Sequence, residues 1–277
     1  MSLGFLSLGG DKRQIYTGDA LKRHGHSVSF SGLGIYDNFS YDDYYEYIIL
    51  PAPYTRDGKT IFSPLAEDEV PVEEILNFRP PKGIFSGACA NLREKLNLKD
   101  SIKIYDLLLN EDYNILNAVA TAEAALSIAI KNTSFNISGS ETLVVGFGKI
   151  GKVLAKNLKG IGAKVTVAAR KSSDRAYSKN LNYEAISTDE ISDDAVKYKI
   201  IFNTAPKLLI DEDIIKSLSH DCLIIDLASI PGGVDFEACD KYKIKVLHAL
   251  GLPGKYSPRT SGEITAEIIL NLKDGKS

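Results

Sequence analysis

Gly146-Phe147-Gly148-Lys149-Ile150-Gly151 is the stretch on which the reading of this chain turns. The three glycines stand at G-x-G-x-x-G spacing directly after the apolar run Thr142-Leu143-Val144-Val145, and a helical pattern follows to about Gly160. A strand that ends in such a turn and opens a helix is the start of a Rossmann-type unit. The first glycine permits the tight turn, the second lets the backbone approach a pyrophosphate, and the third lets helix and strand pack closely. Backbone N–H groups at the helix start then hold the anion. Gly146, Gly148, Lys149, Ile150 and Gly151 are therefore expected to bind a nicotinamide dinucleotide.

Downstream, a second strand spans Lys164 to Ala169 and ends in Arg170-Lys171-Ser172-Ser173. An NAD-selective site places Asp or Glu here to bond the ribose 2′-hydroxyl. Arg170 and Lys171, with the Ser172 hydroxyl, suit a 2′-phosphate instead, so NADP is expected over NAD; a solvated basic turn is the plainer alternative. Further strands are expected at 200–202, 223–225 and 245–247. Asn203-Thr204-Ala205-Pro206 follows the first of these, at the carboxyl edge where open α/β sheets bind ligands, and is expected to wall the nicotinamide ribose unless it is only a turn. Asp226-Leu227-Ala228-Ser229, leading into Pro231-Gly232-Gly233, brings a carboxylate to the same edge, where Asp226 either acts on substrate or braces its turn.

Upstream, Leu3 to Leu8 predicts a strand, Gly9-Gly10 a turn, Lys12 to Arg23 a helix and Ser27 to Phe30 a second strand. The apolar run at 47–50, a helix at 72–77 and strands at 82–85 and 102–105 continue the alternation, which implies a mostly parallel sheet with helices on its faces. The expected class is α/β with two doubly wound parallel-sheet domains, the second a Rossmann domain. Residues 1–110 form the substrate or catalytic domain, 111–138 an interdomain helix and linker, 139–255 the dinucleotide-binding domain and 256–277 a C-terminal helix. The Ala-rich stretch from Asn110 to Lys131 predicts the long helix. Thr260-Ser261-Gly262-Glu263 has capping-box spacing and predicts the start of the last one. Asp11 and Arg13 follow the glycine turn and face any interdomain cleft, unless Asp11 is simply a helix cap. Lys255 and Arg259 lie in a Gly/Pro-stiffened loop where a small carboxylate could sit.

Composition narrows the partners. Hydrophobic residues at 44% and charged residues at 25% describe a chain able to bury a core. A formal charge of −3 without a Lys/Arg-rich run argues against nucleic acid. Cys89, Cys222 and Cys239 are scattered, so neither a disulfide framework nor a metal site is expected, and a reducing cytoplasm fits. No basic flank and cleavage pattern marks a secretion signal, and the apolar stretch from Ile115 to Ile130, which includes Asn117 and Glu123, is too short to span a bilayer. His24 and His26 read as surface residues; His248, unpaired near the expected cleft, is a weak candidate for proton transfer.

Several segments together resemble one family. They are Gly9-Gly10-Asp11-Lys12-Arg13, Asn117-Ala118-Val119-Ala120-Thr121-Ala122-Glu123, the glycine fingerprint, Asn203-Thr204-Ala205-Pro206, Asp226-Leu227-Ala228-Ser229-Ile230-Pro231-Gly232-Gly233 and Gly251-Leu252-Pro253-Gly254-Lys255. In order and coverage they resemble the dipicolinate synthase A-subunit family, with departures at Ala124, Arg259 and Ser261. The resemblance implies a sporulation enzyme on a branch of the lysine pathway, in the cytoplasm of the mother cell, that oxidises a dihydrodipicolinate-level intermediate to pyridine-2,6-dicarboxylate. It also implies the flavoprotein-like B subunit of dipicolinate synthase as a partner; a homo-oligomer is expected.

On this reading Arg13, Lys255, Arg259 and helix-start N–H groups hold the two carboxylates of the substrate, and Asp11, Glu123 or Asp226 takes the departing proton. Two alternatives stand beside it. One is an NAD(P)-dependent reductase of another small acid or carbonyl, since fold alone does not choose chemistry. The other is a non-catalytic dinucleotide-binding subunit of a two-chain enzyme.

Overall fold

In the computed structural model, which describes residues 2–276, the chain divides into two compact units. Residues 1–117 and 253–277 make the first, and residues 118–252 the second. The first begins with β1 (Gly4–Leu8), α1 (Lys12–Arg23), β2 (Ser27–Ser31), β3 (Tyr47–Ile49), β4 (Thr60–Ile61), β5 (Val70–Pro71), β6 (Gly83–Ser86), α2 (Leu92–Lys95) and β7 (Lys103–Asp106). α3 (Glu111–Asn132) then leads into the second unit. There follow β8 (Glu141–Val145), α4 (Lys149–Gly160), β9 (Lys164–Ala168), α5 (Ser172–Asn180), β10 (Glu184–Ile186), β11 (Ile200–Asn203), α6 (Glu212–Ile215), β12 (Leu223–Asp226), α7 (Phe236–Tyr242) and β13 (Lys245–His248). α8 (Leu252–Tyr256) and α9 (Pro258–Lys273) return the chain to the first unit.

Both main sheets are parallel throughout. The first has the order β2-β1-β3-β6-β7 and the second β10-β9-β8-β11-β12-β13. Each sheet therefore reverses direction beside its own first strand, between β1 and β3 and between β8 and β11, and ligands of open α/β sheets bind at the carboxyl end of such a reversal. The inner strands β6, β11 and β12 are buried on both faces, as parallel pairing with covering helices requires, while the edge strands β7, β10 and β13 are partly exposed. In the second unit Val144, Val167, Phe202 and Ile225 point into one core layer, while Leu143, Val145, Ala168, Ile201 and Ile224 point into the opposite one. The first sheet splits the same way, with Leu6, Leu8, Ile48 and Ile84 on one side and Phe5, Ile49 and Phe85 on the other.

α3 is the one helix among the described residues whose length and apolarity match a membrane span. Its Ala122, Ala125 and Ala129 lie in the core of the second unit. The three cysteines are buried and free, and burial pushes their thiols up to about 12 for Cys89 and Cys222 and to about 11 for Cys239.

Residues 72–77 are helical as expected, in the form of a 3-10 helix, and a small antiparallel β4–β5 hairpin precedes them. Two local expectations change. Lys255 stands on the short helix α8 rather than in an open loop. The last helix starts at Pro258 with Ser257 as its N-cap, not at Thr260. Proline suits the first helical position because its missing N–H needs no partner there. Glu263 is then released from any capping role and pairs with Arg23 at 2.9 Å and Arg259 at 3.2 Å.

α9 packs along α1 at close range. A Cβ on Gly262 would lie 2.5 Å from the Arg13 carbonyl oxygen and 2.9 Å from the Thr17 nitrogen. Both are backbone atoms that cannot rotate away. Gly262→Ala is expected to lower unfolding stability by about 1–3 kcal/mol, the usual scale of overpacking, measured as a shift in the denaturant midpoint against wild type.

Candidate functional site

At the end of β8 the chain turns through Gly146, whose φ of +93° lies in the left-handed region that favours glycine. A Cβ there would stand 2.5 Å from Thr204 Oγ1, and a Cβ on Gly151 would stand 2.2 Å from the Gly146 carbonyl oxygen. The first and third glycines are thus demanded by packing. Gly148 differs: nothing lies within 4 Å of its missing Cβ, and it is exposed. It is the N-cap of α4, with no side-chain cap on the first-turn N–H groups. An exposed, uncapped start of a twelve-residue helix beside open space fits a pyrophosphate, so the residues present match the cofactor class. Lys149 is exposed and Ile150 half-buried on the same turn.

β9 ends at Ala168, and Arg170, Lys171, Ser172 and Ser173 are all exposed where α5 begins. Arg170 and Lys171 have no side-chain partner among the described residues. Arg175 shapes this corner, because its Nη1 donates to the Ala169 oxygen at 2.8 Å and to the Arg170 oxygen at 2.7 Å. No sequence pattern marks that brace. Asp174 is the one acid in the first turn of α5.

β11 delivers Asn203-Thr204-Ala205-Pro206 to the same edge. Thr204 donates to the Val145 oxygen through its N–H at 2.8 Å and its hydroxyl at 2.9 Å, which ties the end of β11 to that of β8. Asn203 is fully buried, and its Nδ2 donates to Asp226 Oδ1 at 2.8 Å and to the Ala205 oxygen at 3.0 Å. Asp226 is equally buried and accepts further bonds from Ala228 N at 3.0 Å and Gly233 N at 2.9 Å. Its carboxylate thus has the geometry of the brace, the second of the two roles its position suggested, and holds the loop that contains the cis Ile230–Pro231 bond. His248 Nε2 lies 3.0 Å from the Ala228 oxygen. Glu123 sits exposed on α3 with no hydrogen-bonded partner among the described residues.

In the first unit the turn after β1 runs through Gly9 and Gly10, both at positive φ. Asp11 caps α1, accepting from Arg13 N at 3.0 Å, and Arg13 returns to grip the same carboxylate through Nε at 2.9 Å and Nη2 at 3.0 Å. Asp11 and Arg13 therefore form a two-point ion pair, not two independent charges. Burial alone would lower the Arg13 pKa, but the hydrogen bond and charge of Asp11 outweigh it and hold the group above its ordinary value. A Cβ on Gly254 would strike Asp11 Oδ2 at 2.4 Å, so the Gly-Leu-Pro-Gly-Lys segment reaches this pair through its second glycine. Lys255 is exposed without a side-chain partner among the described residues, whereas Arg259 is held by Glu263.

Behind the Asp11–Arg13 pair lies a cavity with about 10 Å³ of space, lined by Gln14, Leu50, Tyr113 and Thr265. Gln14 and Tyr113 carry no motif and escape a reading of the sequence. A wider groove of the same unit, about 520 Å³, is lined by Asp37, Glu67, Asp68, Glu69 and Glu74, and this charge repels an anionic ligand.

Comparison with known proteins agrees with this architecture. Residues 5–108 match the model of the dipicolinate synthase A-subunit N-terminal domain. Residues 117–230 match that of the D-isomer specific 2-hydroxyacid dehydrogenase NAD binding domain, which supports a nicotinamide dinucleotide as cofactor class and an oxidoreductase as enzyme class. The dipicolinate synthase A subunit of Bacillus subtilis (strain 168) is 33% identical over 227 residues, covering 81% of this chain and 76% of its own. The structure of the dipicolinate synthase A subunit from Bacillus halodurans superposes with a TM-score of 0.87 at 27% identity, covering 98% of this chain and 97% of the other. The A chain of dipicolinate synthase from Bacillus subtilis gives 0.86 at 28% identity, covering 100% and 97%. With two glycine turns, a bracing Asn203–Asp226 pair and these relatives on one chain, the protein belongs to the dipicolinate synthase A-subunit family.

Proposed function

We propose that this chain oxidises a dihydrodipicolinate-level cyclic intermediate to pyridine-2,6-dicarboxylate, with NADP as the oxidant. The observation that carries the reading is the 33% identity to a protein of that name over most of both chains, together with a glycine turn that fits the cofactor. Bound at α4, a nicotinamide dinucleotide supplies the two-electron acceptor for a hydride. The substrate loses that hydride and one proton and gains an aromatic ring, so the protein's task is to orient the reactants and receive the proton.

NADP over NAD rests on the corner after β9, where two unpartnered cations meet the uncapped start of α5 and no acid ends the strand. Asp174 opposes this, but it is one charge against two. Substrate carboxylates are assigned to Lys255 and to the Nη1 side of Arg13, whose Nε and Nη2 hold Asp11, while Arg259 is engaged by Glu263 at the surface. Among the three candidate bases Asp11 is spent on Arg13 and Asp226 on its loop, which leaves Glu123 as the proton acceptor. A second chain, the flavoprotein-like B subunit, completes the enzyme, since the relatives carry the name of one subunit among others. The reaction belongs to the mother-cell cytoplasm of a sporulating bacterium.

The direct test mixes the purified chain with the upstream synthase that makes the cyclic dicarboxylate, adds NADP or NAD, and follows reduced cofactor together with the ultraviolet absorption of dipicolinate. Both signals rising together, faster with NADP, is the expected result; cofactor binding without either signal sinks the stand-alone enzyme.

Replacing Arg170 and Lys171 together by Ala should raise the KM for NADP by roughly tenfold or more while leaving that for NAD nearly unchanged, because each charge-assisted contact to a phosphate is worth that order. Equal losses with both cofactors would remove the 2′-phosphate assignment.

Glu123→Gln should lower kcat by roughly 10²- to 10⁴-fold with cofactor affinity and melting temperature unchanged. Asp226→Ala should instead unfold more easily, by about 3 kcal/mol, because it strands two buried N–H groups and removes one of the two acceptors of the Asn203 amide. Denaturant titration beside steady-state kinetics separates the two.

A further inference from the structure

Three polar side chains with free donor capacity line the small cavity of the first unit, and one donor among them, Gln14 Nε2, is buried without a partner. Gln14 is 5% exposed, and its Nε2 is buried without a hydrogen bond. Tyr113 is 4% exposed and lines the same cavity, and no hydrogen bond of its hydroxyl occurs among the described residues, so that donor faces the open space. Arg13 uses Nε and Nη2 on Asp11, which leaves Nη1 without a protein acceptor among the described residues. All three residues line the same space. Leaving a buried donor unpaired is costly, so native structures rarely do it without a ligand or a water at hand.

The surroundings are built to keep this arrangement. A Cβ on Gly10 would lie 2.2 Å from Gln14 Cγ, so the glycine at φ +105° makes room for the Gln14 side chain. Leu50, Pro51 and Leu107 supply an apolar wall, which strengthens any polar contact formed there. The Asp11 carboxylate sits at the same cavity, but its oxygens are engaged by Arg13. What remains unfilled is a set of donors, and the space, about 10 Å³, matches one oxygen-sized group.

We infer that Gln14 and Tyr113, together with the Nη1 side of Arg13, receive one carboxylate oxygen of an organic acid, making Gln14 and Tyr113 recognition residues for the acid substrate. The inference deepens the proposed function and rests on its reading of the substrate as a dicarboxylate. The Asp11–Arg13 pair then serves to hold Nη1 in place, while Gln14 and Tyr113 contribute neutral donors that a second cation in the same space would not match in size.

The test is isothermal titration of the full chain with pyridine-2,6-dicarboxylate and, separately, with succinate. Wild type is compared with Tyr113→Phe, which removes one hydroxyl, and with Gln14→Glu, which sets a carboxylate against a carboxylate. Tyr113→Phe is expected to weaken acid binding roughly tenfold and Gln14→Glu more than that, with NADP affinity and melting temperature held, so that loss of fold is excluded. Unchanged acid affinity in both variants overturns the inference and leaves the proposed reaction standing. Binding of succinate that depends on Gln14 and Tyr113, without binding of pyridine-2,6-dicarboxylate, upholds the site and removes the proposed substrate. Wild type that binds neither acid assigns the cavity to a water and overturns the inference.

Discussion

The carbonyl oxygen of Val145 accepts two hydrogen bonds from Thr204, one from its N–H and one from its hydroxyl. That double contact fastens the ends of β8 and β11, the two strands between which the second sheet reverses its order. Much of the cofactor site follows from it. With the Thr204 hydroxyl standing where a Cβ would be, residue 146 must be glycine, and with the Gly146 carbonyl turned inward, residue 151 must be glycine too. Only Gly148 is under no packing constraint from the protein, its missing Cβ facing open space. The fingerprint is thus two packing constraints and one opening at the start of α4. Its first constraint is set by a threonine on a different strand.

What is legible in the sequence is what depends on neighbours in the chain. Glycine spacing, strand alternation and the helix from residue 12 to 23 all report local rules, and the structure carries them. Pairings between distant segments are not legible. Asp11 and Arg13 read as charges aimed at a cleft, yet two residues of spacing at a helix start bring guanidinium and carboxylate into a fork. Asp226 reads equally well as base or brace, and its burial with three donors is visible only once β11 and the loop from 228 to 233 are folded against it. Tyr113 cannot be read at all, because nothing in its own neighbourhood says that α3 starts beside the turn after β1. The expected cap at Thr260 fails for a local reason: Pro258 begins the helix first.

Burial, rather than residue type, sorts the acids of this protein. Asp11 offsets a buried cation, Asp226 organises backbone amides, and Glu123 stays in water. Each arrangement gives a carboxylate a different task, although all three belong to segments that carry the family resemblance. The same sorting applies to cations. Arg13 is committed to its partner and Arg175 to two carbonyls, while Arg170 and Lys171 remain available at the surface.

The first unit is interrupted. Its chain leaves at residue 117, makes the whole of the second unit, and comes back at residue 253 to lay α9 along α1, where Ala266, Ile268 and Ile269 join Phe5, Phe30 and Tyr113 in one core. During synthesis the sheet that emerges first lacks one of its covering helices until the last of these residues leave the ribosome, whereas the second unit is continuous and has all its parts earlier. Domains ordinarily complete themselves from the amino end. Here the order is inverted: the second unit is continuous in the chain and has all its elements before α9, which the first unit needs for its core, is made.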